Sequence, residues 1–275
     1  MVKNRILRSF FVFALFLLTI LPMGCGDAFD VHPYYVDFSG DRNLNHLNLE
    51  KIQMACKDKD TLRFVVMGDT QGWYDDTKDL VDDINRQERI DFVIHGGDFT
   101  NYGATREFVR QRDIFLNLKM PFVGIIGNHD CLGTGIEVYK QMFGETNFSF
   151  IAGRVKFICL NTNALEYDFD QAIPDFDFLE SQLHKDKGAY DRTVFCMHAR
   201  PFSEQFNNNV VNTFNYFVET FPHVLFCTAG HEHRFEAADL FANGVVYYVS
   251  DSVNSRSYII FTVTPSNYTN EIVYF

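Results

Sequence analysis

Five short apolar runs punctuate the chain, and each ends in residues that bind metals or move protons. Leu62-Arg63-Phe64-Val65-Val66-Met67 leads into Gly68-Asp69-Thr70-Gln71, and Ile90-Asp91-Phe92-Val93-Ile94 into His95-Gly96-Gly97-Asp98. Phe122-Val123-Gly124-Ile125-Ile126 leads into Gly127-Asn128-His129-Asp130. Thr193-Val194-Phe195-Cys196-Met197 leads into His198, and Val224-Leu225-Phe226-Cys227-Thr228-Ala229 into Gly230-His231-Glu232-His233. Runs rich in β-branched and aromatic residues, bounded by glycine, read as buried strands. Polar residues at a strand's carboxyl end lie where open α/β sheets place their sites. Gly-Asn-His-Asp alone also reads as a turn. Repetition of the same grammar at five strand ends favours a site.

The donors decide which chemistry. Carboxylate, amide and imidazole together suit borderline to hard metals such as Zn, Mn or Fe. The absence of thiolate from the set argues against a Cys-rich structural zinc site. One four-coordinate ion cannot use so many ligands. Two metals sharing a carboxylate is the economical arrangement, and such pairs lie about 3.5–4 Å apart. Neither a Gly-x-Ser-x-Gly elbow nor a P-loop occurs, which removes serine hydrolases and P-loop NTPases.

At this point the chain resembles the calcineurin-like metallophosphoesterases. Their pattern is D-x-H, G-D-x-x-x-x-G, G-N-H-[DE], an isolated H, and G-H-x-H, and the match runs from Leu62 to about Tyr248. The resemblance implies that Asp69 and His233 hold a first metal and that Asp98 bridges. Asn128, His198 and His231 then hold a second. It further implies that His129 stands beside the leaving group, as acid or as a cation on phosphoryl oxygens, with Asp130 orienting it. The implied cofactor is a pair of divalent or trivalent ions, Mn, Zn, Fe or Mg. One position departs from the pattern: Gln71 stands where the first motif has histidine. Its amide oxygen either joins the first metal or holds a water beside it. The Tyr-ligand pattern of purple acid phosphatases is not met, since Asn101 holds that place.

The implied fold is α/β, a four-layer α-β-β-α sandwich of two mixed sheets flanked by helices. The residue pattern agrees, because strand–helix alternation gives way to hairpins. Helices are expected over 47–55, 75–89, 105–118, 135–143, 175–186 and 210–219. Strands are expected over 148–151, 155–161, 235–240, 245–249, 258–264 and 270–275, with turns at Gly153-Arg154 and Asn243-Gly244. Residues 34–38 read as an edge strand, and Asp75-Asp76 as a helix cap.

Residues 1–24 form a separate unit. Lys3, Arg5 and Arg8 precede the apolar run from Phe10 to Leu21, which is the grammar of a secretory signal. Gly24-Cys25 resembles a bacterial lipobox, with Cys25 as the lipid anchor. This gives three units: 1–24 signal peptide, 25–60 N-terminal extension, and 61–275 metallophosphoesterase domain. The expected location is extracytoplasmic, on the periplasmic or cell-surface side of a bacterial membrane, or else secreted. Net charge is −12 and becomes −15 without the three leader cations. Such a surface repels nucleic acid and anionic lipid headgroups. The expected partner is a small phosphate ester; the residues give no oligomeric state. Cys56, Cys131, Cys159, Cys196 and Cys227 indicate no disulfide framework, and those in strands read as buried small apolar residues.

Several residues carry two readings. Arg200, two residues after His198, either meets substrate phosphate or forms a structural ion pair. His95 beside Asp98 reads as a supporting histidine rather than a ligand. Trp73, Tyr74 and Tyr102 either line a cleft or simply pack. The leading function is hydrolysis of phosphate mono- or diesters by a dimetal-activated hydroxide. The competing one is a binding or scaffold protein that kept the fold and lost turnover, a reading that rests on Gln71.

Overall fold

Residues 34–167 and 171–275 are described in this computed structural model. The expected leader and the Cys25 anchor lie outside the described residues. No helix among the described residues is long and apolar enough to cross a membrane.

Two sheets carry the fold. Strands β1 (Leu62–Met67), β2 (Phe92–His95), β3 (Phe122–Gly124), β10 (Ser257–Val263) and β11 (Tyr268–Tyr274) form one, in the order β11-β10-β1-β2-β3. The second contains β4 (Phe148–Ala152), β5 (Val155–Leu160), β6 (Arg192–Met197), β7 (Val224–Ala229), β8 (Glu236–Ala238) and β9 (Val246–Val249), in the order β4-β5-β6-β7-β9-β8. Both are mixed: β1-β2-β3 and β5-β6-β7-β9 run parallel, and the remaining pairs antiparallel.

The period-2 alternation of the strands sorts the core into layers. Phe64 and Val66 of β1, Phe92 and Ile94 of β2, Phe157 of β5 and Phe226 of β7 face one another between the sheets. Val65, Met67 and Val93 face outward, under helices α2 (Tyr74–Ile84), α3 (Thr105–Phe115) and α4 (Gly135–Met142). On the far side Phe195, Met197 and Cys227 lie beneath α6 (Phe176–His184) and α7 (Val211–Thr220). The short α5 (Ala164–Tyr167) completes the helices between β5 and α6. Three apolar layers between four structural layers give the expected α-β-β-α sandwich.

Helix α1 (Leu44–Cys56) closes the sandwich at one edge, packing against β3 of one sheet and β4 of the other. Asn45 donates to the Gly124 carbonyl at 2.9 Å and accepts from Gly124 N–H at 2.8 Å, and Asn48 donates to the Phe122 carbonyl at 2.7 Å. Side-chain amides thus do for the edge of β3 what another strand would do. This helix belongs to the core, although the sequence reading set residues 25–60 apart as an extension.

Other expectations shift. Residues 34–38 form no strand; they cross α3, with Thr105 Oγ1 donating to the Tyr35 carbonyl and Arg112 to the Ser39 carbonyl at 2.8 Å. The helix expected over 75–89 stops at Ile84, where Arg86 and Gln87 N–H bond three residues back and Arg89 turns left-handed. Asp75 and Asp76 lie in its first turn rather than at its cap, and Asp76 pairs with Arg256 at 2.7 Å. Helix α6 is capped by Asp175, which accepts from Phe178 N–H, and ends before the left-handed Asp186. The turn at Gly153 is as expected. Asn243-Gly244 is not a two-residue turn: both N–H groups bond the Asp239 carboxylate, which shapes a longer loop between β8 and β9. The five described cysteines are buried and unbridged.

Candidate metal centre

The carboxyl ends of β1, β2 and β7, with the turn after β3 and the residue after β6, converge on one cluster. Asp69, Asp98 and His233 bring ligand atoms within 4.8 Å of one another. His233 Nε2 lies 3.3 Å from Asp69 Oδ1. On the other side His198 Nε2 is 2.9 Å and His231 Nδ1 3.1 Å from Asn128 Oδ1. Asp98 joins the halves, with Oδ2 at 3.5 Å from His198 Nε2. Metal–ligand bonds of about 2.0–2.2 Å set neighbouring donors roughly 3–3.5 Å apart. The observed separations are those of donors sharing an ion, and the residues present fit a metal pair.

The motif glycines exist for this convergence. A Cβ on Gly127 would overlap Asp98 Oδ1, and one on Gly230 would stand 2.7 Å from Asp69 Oδ2. Asp69, Asp98, His231 and His233 themselves lie in the left-handed region, at φ 53, 62, 73 and 48. The chain leaves each strand by a sharp turn that aims the side chain inward.

Protons on the histidines follow from their outer partners. His198 Nδ1 faces the Gly96 carbonyl at 2.8 Å and must donate, which leaves Nε2 for the cluster. Burial opposes charging His198, yet the carboxylates of Asp98 and Asp69 outweigh it and lift its pKa to about 9. Burial likewise opposes ionisation of Asp98, and His198 more than compensates, holding that carboxyl below its usual range. The hydrogen bond to Asp69 raises His233. His95 is fully buried, stacks on Phe99, accepts from Gly97 N–H and donates from Nε2 to Thr70 Oγ1. Burial holds its pKa down to about 3, so it is a neutral spacer beneath the site.

Three roles differ from the sequence reading or were open in it. Asp130 does not orient His129. It accepts from the backbone N–H groups of Gly127, Asp98, Phe99 and Thr100 and from the Thr100 hydroxyl, at 2.9–3.2 Å. Adjacent residues of a 3-10 turn point apart, which is why the neighbour in sequence is not the neighbour in space. Burial and the Asp98 carboxylate push Asp130 up, to about 7, against these donors. His129 is held by the Asn101 carbonyl, 2.9 Å from Nδ1, and its N–H donates to Asp98 Oδ1. Arg200 pairs with Glu236 at 3.1 Å and reaches Glu232 at 3.8 Å, so its guanidinium braces the loop carrying His231 and His233. That is the ion-pair reading rather than the substrate one.

Gln71 lies in the cluster, with Nε2 3.4 Å from Asp98 Oδ2 and 3.5 Å from His233 Nε2. Trp73 and Tyr102 are exposed, whereas Tyr74 is covered by the Arg110 guanidinium at 3.8 Å. Glu204 was not anticipated. Its carboxylate takes His231 Nε2 at 3.0 Å from a loop with no metal-ligand motif.

Carboxylate, amide and imidazole groups from two sheets, meeting at strand ends around Asp98, define an α/β sandwich with a candidate metal centre. The chain belongs to the calcineurin-like phosphoesterase family, whose profile matches residues 62–235. No curated protein matches it in sequence. Among solved structures, a dimetal phosphatase from Danio rerio is similar at 13% identity and a TM-score of 0.60, covering 76% of this chain and 98% of that one. The purple acid phosphatase PPD1 of yellow lupin is similar at 16% identity and 0.59, over 78% of this chain and 52% of that longer one. GAP50, the anchor in the inner membrane complex of Plasmodium, is similar at 16% and 0.60, over 78% and 85%. At these identities the likeness is one of fold.

Proposed function

We propose that the protein hydrolyses phosphate mono- or diesters with two metal ions, outside the cytoplasm. The observation that carries this is the donor spacing: six side chains from five segments bring carboxylate, amide and imidazole atoms to the separations of shared coordination, and Gln71 lies among them. Asp69, Gln71, Asp98 and His233 hold one ion; Asp98, Asn128, His198 and His231 hold the other. When bound, such a pair neutralises phosphoryl charge and lowers the pKa of water.

The chain's own residues do the rest. His129 donates Nδ1–H to the Asn101 carbonyl, which leaves Nε2 to meet the ester's leaving oxygen and, when protonated, to supply its proton. Asp130 gathers four backbone N–H groups and so fixes the loop from Asp98 to Thr100 against the turn at Asn128. The basic-then-apolar leader and Gly24-Cys25 support delivery across a membrane and retention there by a lipid at Cys25.

The test is metal analysis of the purified protein beside aryl phosphomonoester and diester hydrolysis with added Mn, Zn, Fe or Mg. Two ions per chain and turnover that disappears in Asp98→Asn are expected. Protein that binds metal yet turns over neither ester class under any addition would establish the scaffold reading instead.

A further inference from the structure

The two halves of the cluster differ in three independent ways. Donor chemistry is the first. Asp69, Asp98 and Gln71 give the first position three oxygen ligands and a single imidazole, His233. The second position has two imidazoles, His198 and His231, beside Asn128 and Asp98. Oxygen donors suit Mg and Mn, and imidazole suits Zn and Fe.

Outer hydrogen bonding is the second difference. Both second-position histidines are oriented from behind, His198 by the Gly96 carbonyl and His231 by Glu204. A ligand oriented this way binds more tightly. For His233 the hydrogen-bond partners lie within the cluster, Asp69 and Gln71 through Nε2. Burial is the third. The His198 side chain is fully buried, whereas 48% of the His233 side chain is exposed.

Gln71 ties these together. It is 7% exposed, and its Oε1 is buried without a hydrogen-bond partner while Nε2 points at Asp98 and His233. A buried carbonyl oxygen without a donor is costly. A half-turn of the amide exchanges its two ends and puts the oxygen where Nε2 now lies, 3.4 Å from Asp98 Oδ2 and 3.5 Å from His233 Nε2, the spacing of ligands that share an ion. A cation there satisfies it.

We propose that the first position is an exchangeable hard-cation site, selective for Mn or Mg through the Gln71 oxygen, while the second retains a borderline cation such as Zn. The inference rests on the two-metal reading above. In its consequence, the protein leaves its source holding one tight ion and draws the other from the medium.

The test uses the full chain, stripped of metal and reloaded. Calorimetric titration with Zn and then Mn, Mn electron paramagnetic resonance, and metal content after dialysis against a weak chelator are the readouts, none of which requires turnover. One retained Zn and one chelator-released Mn per chain are expected. Gln71→Leu should abolish the bound Mn signal and keep the retained Zn. Gln71→His should retain two Zn per chain and bind Mn at least tenfold more weakly. Two ions retained or released alike, or Mn binding unchanged in Gln71→Leu, overturns the inference and leaves the two-metal reading standing. A single ion per chain at saturating metal overturns both.

Discussion

Along β1 the chain passes in five residues from Phe64, stacked on Phe92 with ring centroids 4.9 Å apart, to Asp69, turned left-handed at φ 53. The seam between the sheets is built from aromatic pairs in stacked and edge-on contact, and Phe157 meets Phe64, Phe92 and Phe150 there within 5.4 Å. The rim at the strands' carboxyl ends is built from buried polar groups and four left-handed ligand residues, a conformation that costs on the order of 1 kcal/mol or more each outside glycine. The same strands make both regions. One generates stability, the other stores strain and holds unlike charges close, so the two should fail separately when mutated.

Phe157→Ala tests the seam and is expected to have the largest effect. It should cost about 3–5 kcal/mol in urea unfolding, as deletion of a buried ring does, while metal content per folded molecule stays unchanged. Asp130→Ala is the case that breaks the division, because this rim residue has a structural task. Four backbone N–H groups lose their acceptor, and a loss of roughly 2–4 kcal/mol is expected together with loss of bound metal. Glu204→Ala should leave unfolding almost unchanged and weaken the second metal roughly tenfold in a competition titration, with Glu204→Gln largely restoring it through the amide oxygen. Trp73→Ala and Tyr102→Ala, at exposed positions on the rim, should shift stability by less than about 0.5 kcal/mol and show only in KM.

The seam was legible because alternation along a strand says which side chains share a face, and Phe64, Val66, Phe92 and Ile94 obey it. The residues of the cluster were legible because a glycine followed by a ligand-type residue recurs at four strand ends, and His198 follows a fifth strand without one. What escaped was whatever depends on direction or distance in space. Asp130 follows His129 in sequence, and a tight turn sends them apart. Glu204 stands on an exposed loop far ahead of His231, with nothing local to mark it. Residues 34–38 alternate as a strand should, yet they lie along a helix, where the Tyr35 carbonyl accepts from Thr105 of α3 instead of from a neighbouring strand. Arg200 follows His198 closely enough to suggest substrate, but its guanidinium pairs with the carboxylates of Glu232 and Glu236.

Helix α1 bears on how this protein keeps to itself. It lies over edge strands of both sheets, and its contact with β3 spans 79 residues of sequence, from Asn45 to Gly124. Contacts so distant along the chain form after local ones during folding. Until the helix docks, or whenever it lifts, unpaired N–H and C=O groups of β3 are open to a strand of another molecule. A nick between Cys56 and Leu62 would leave α1 held by packing alone, and Asn45 and Asn48 are the residues that ordinarily keep that edge shut.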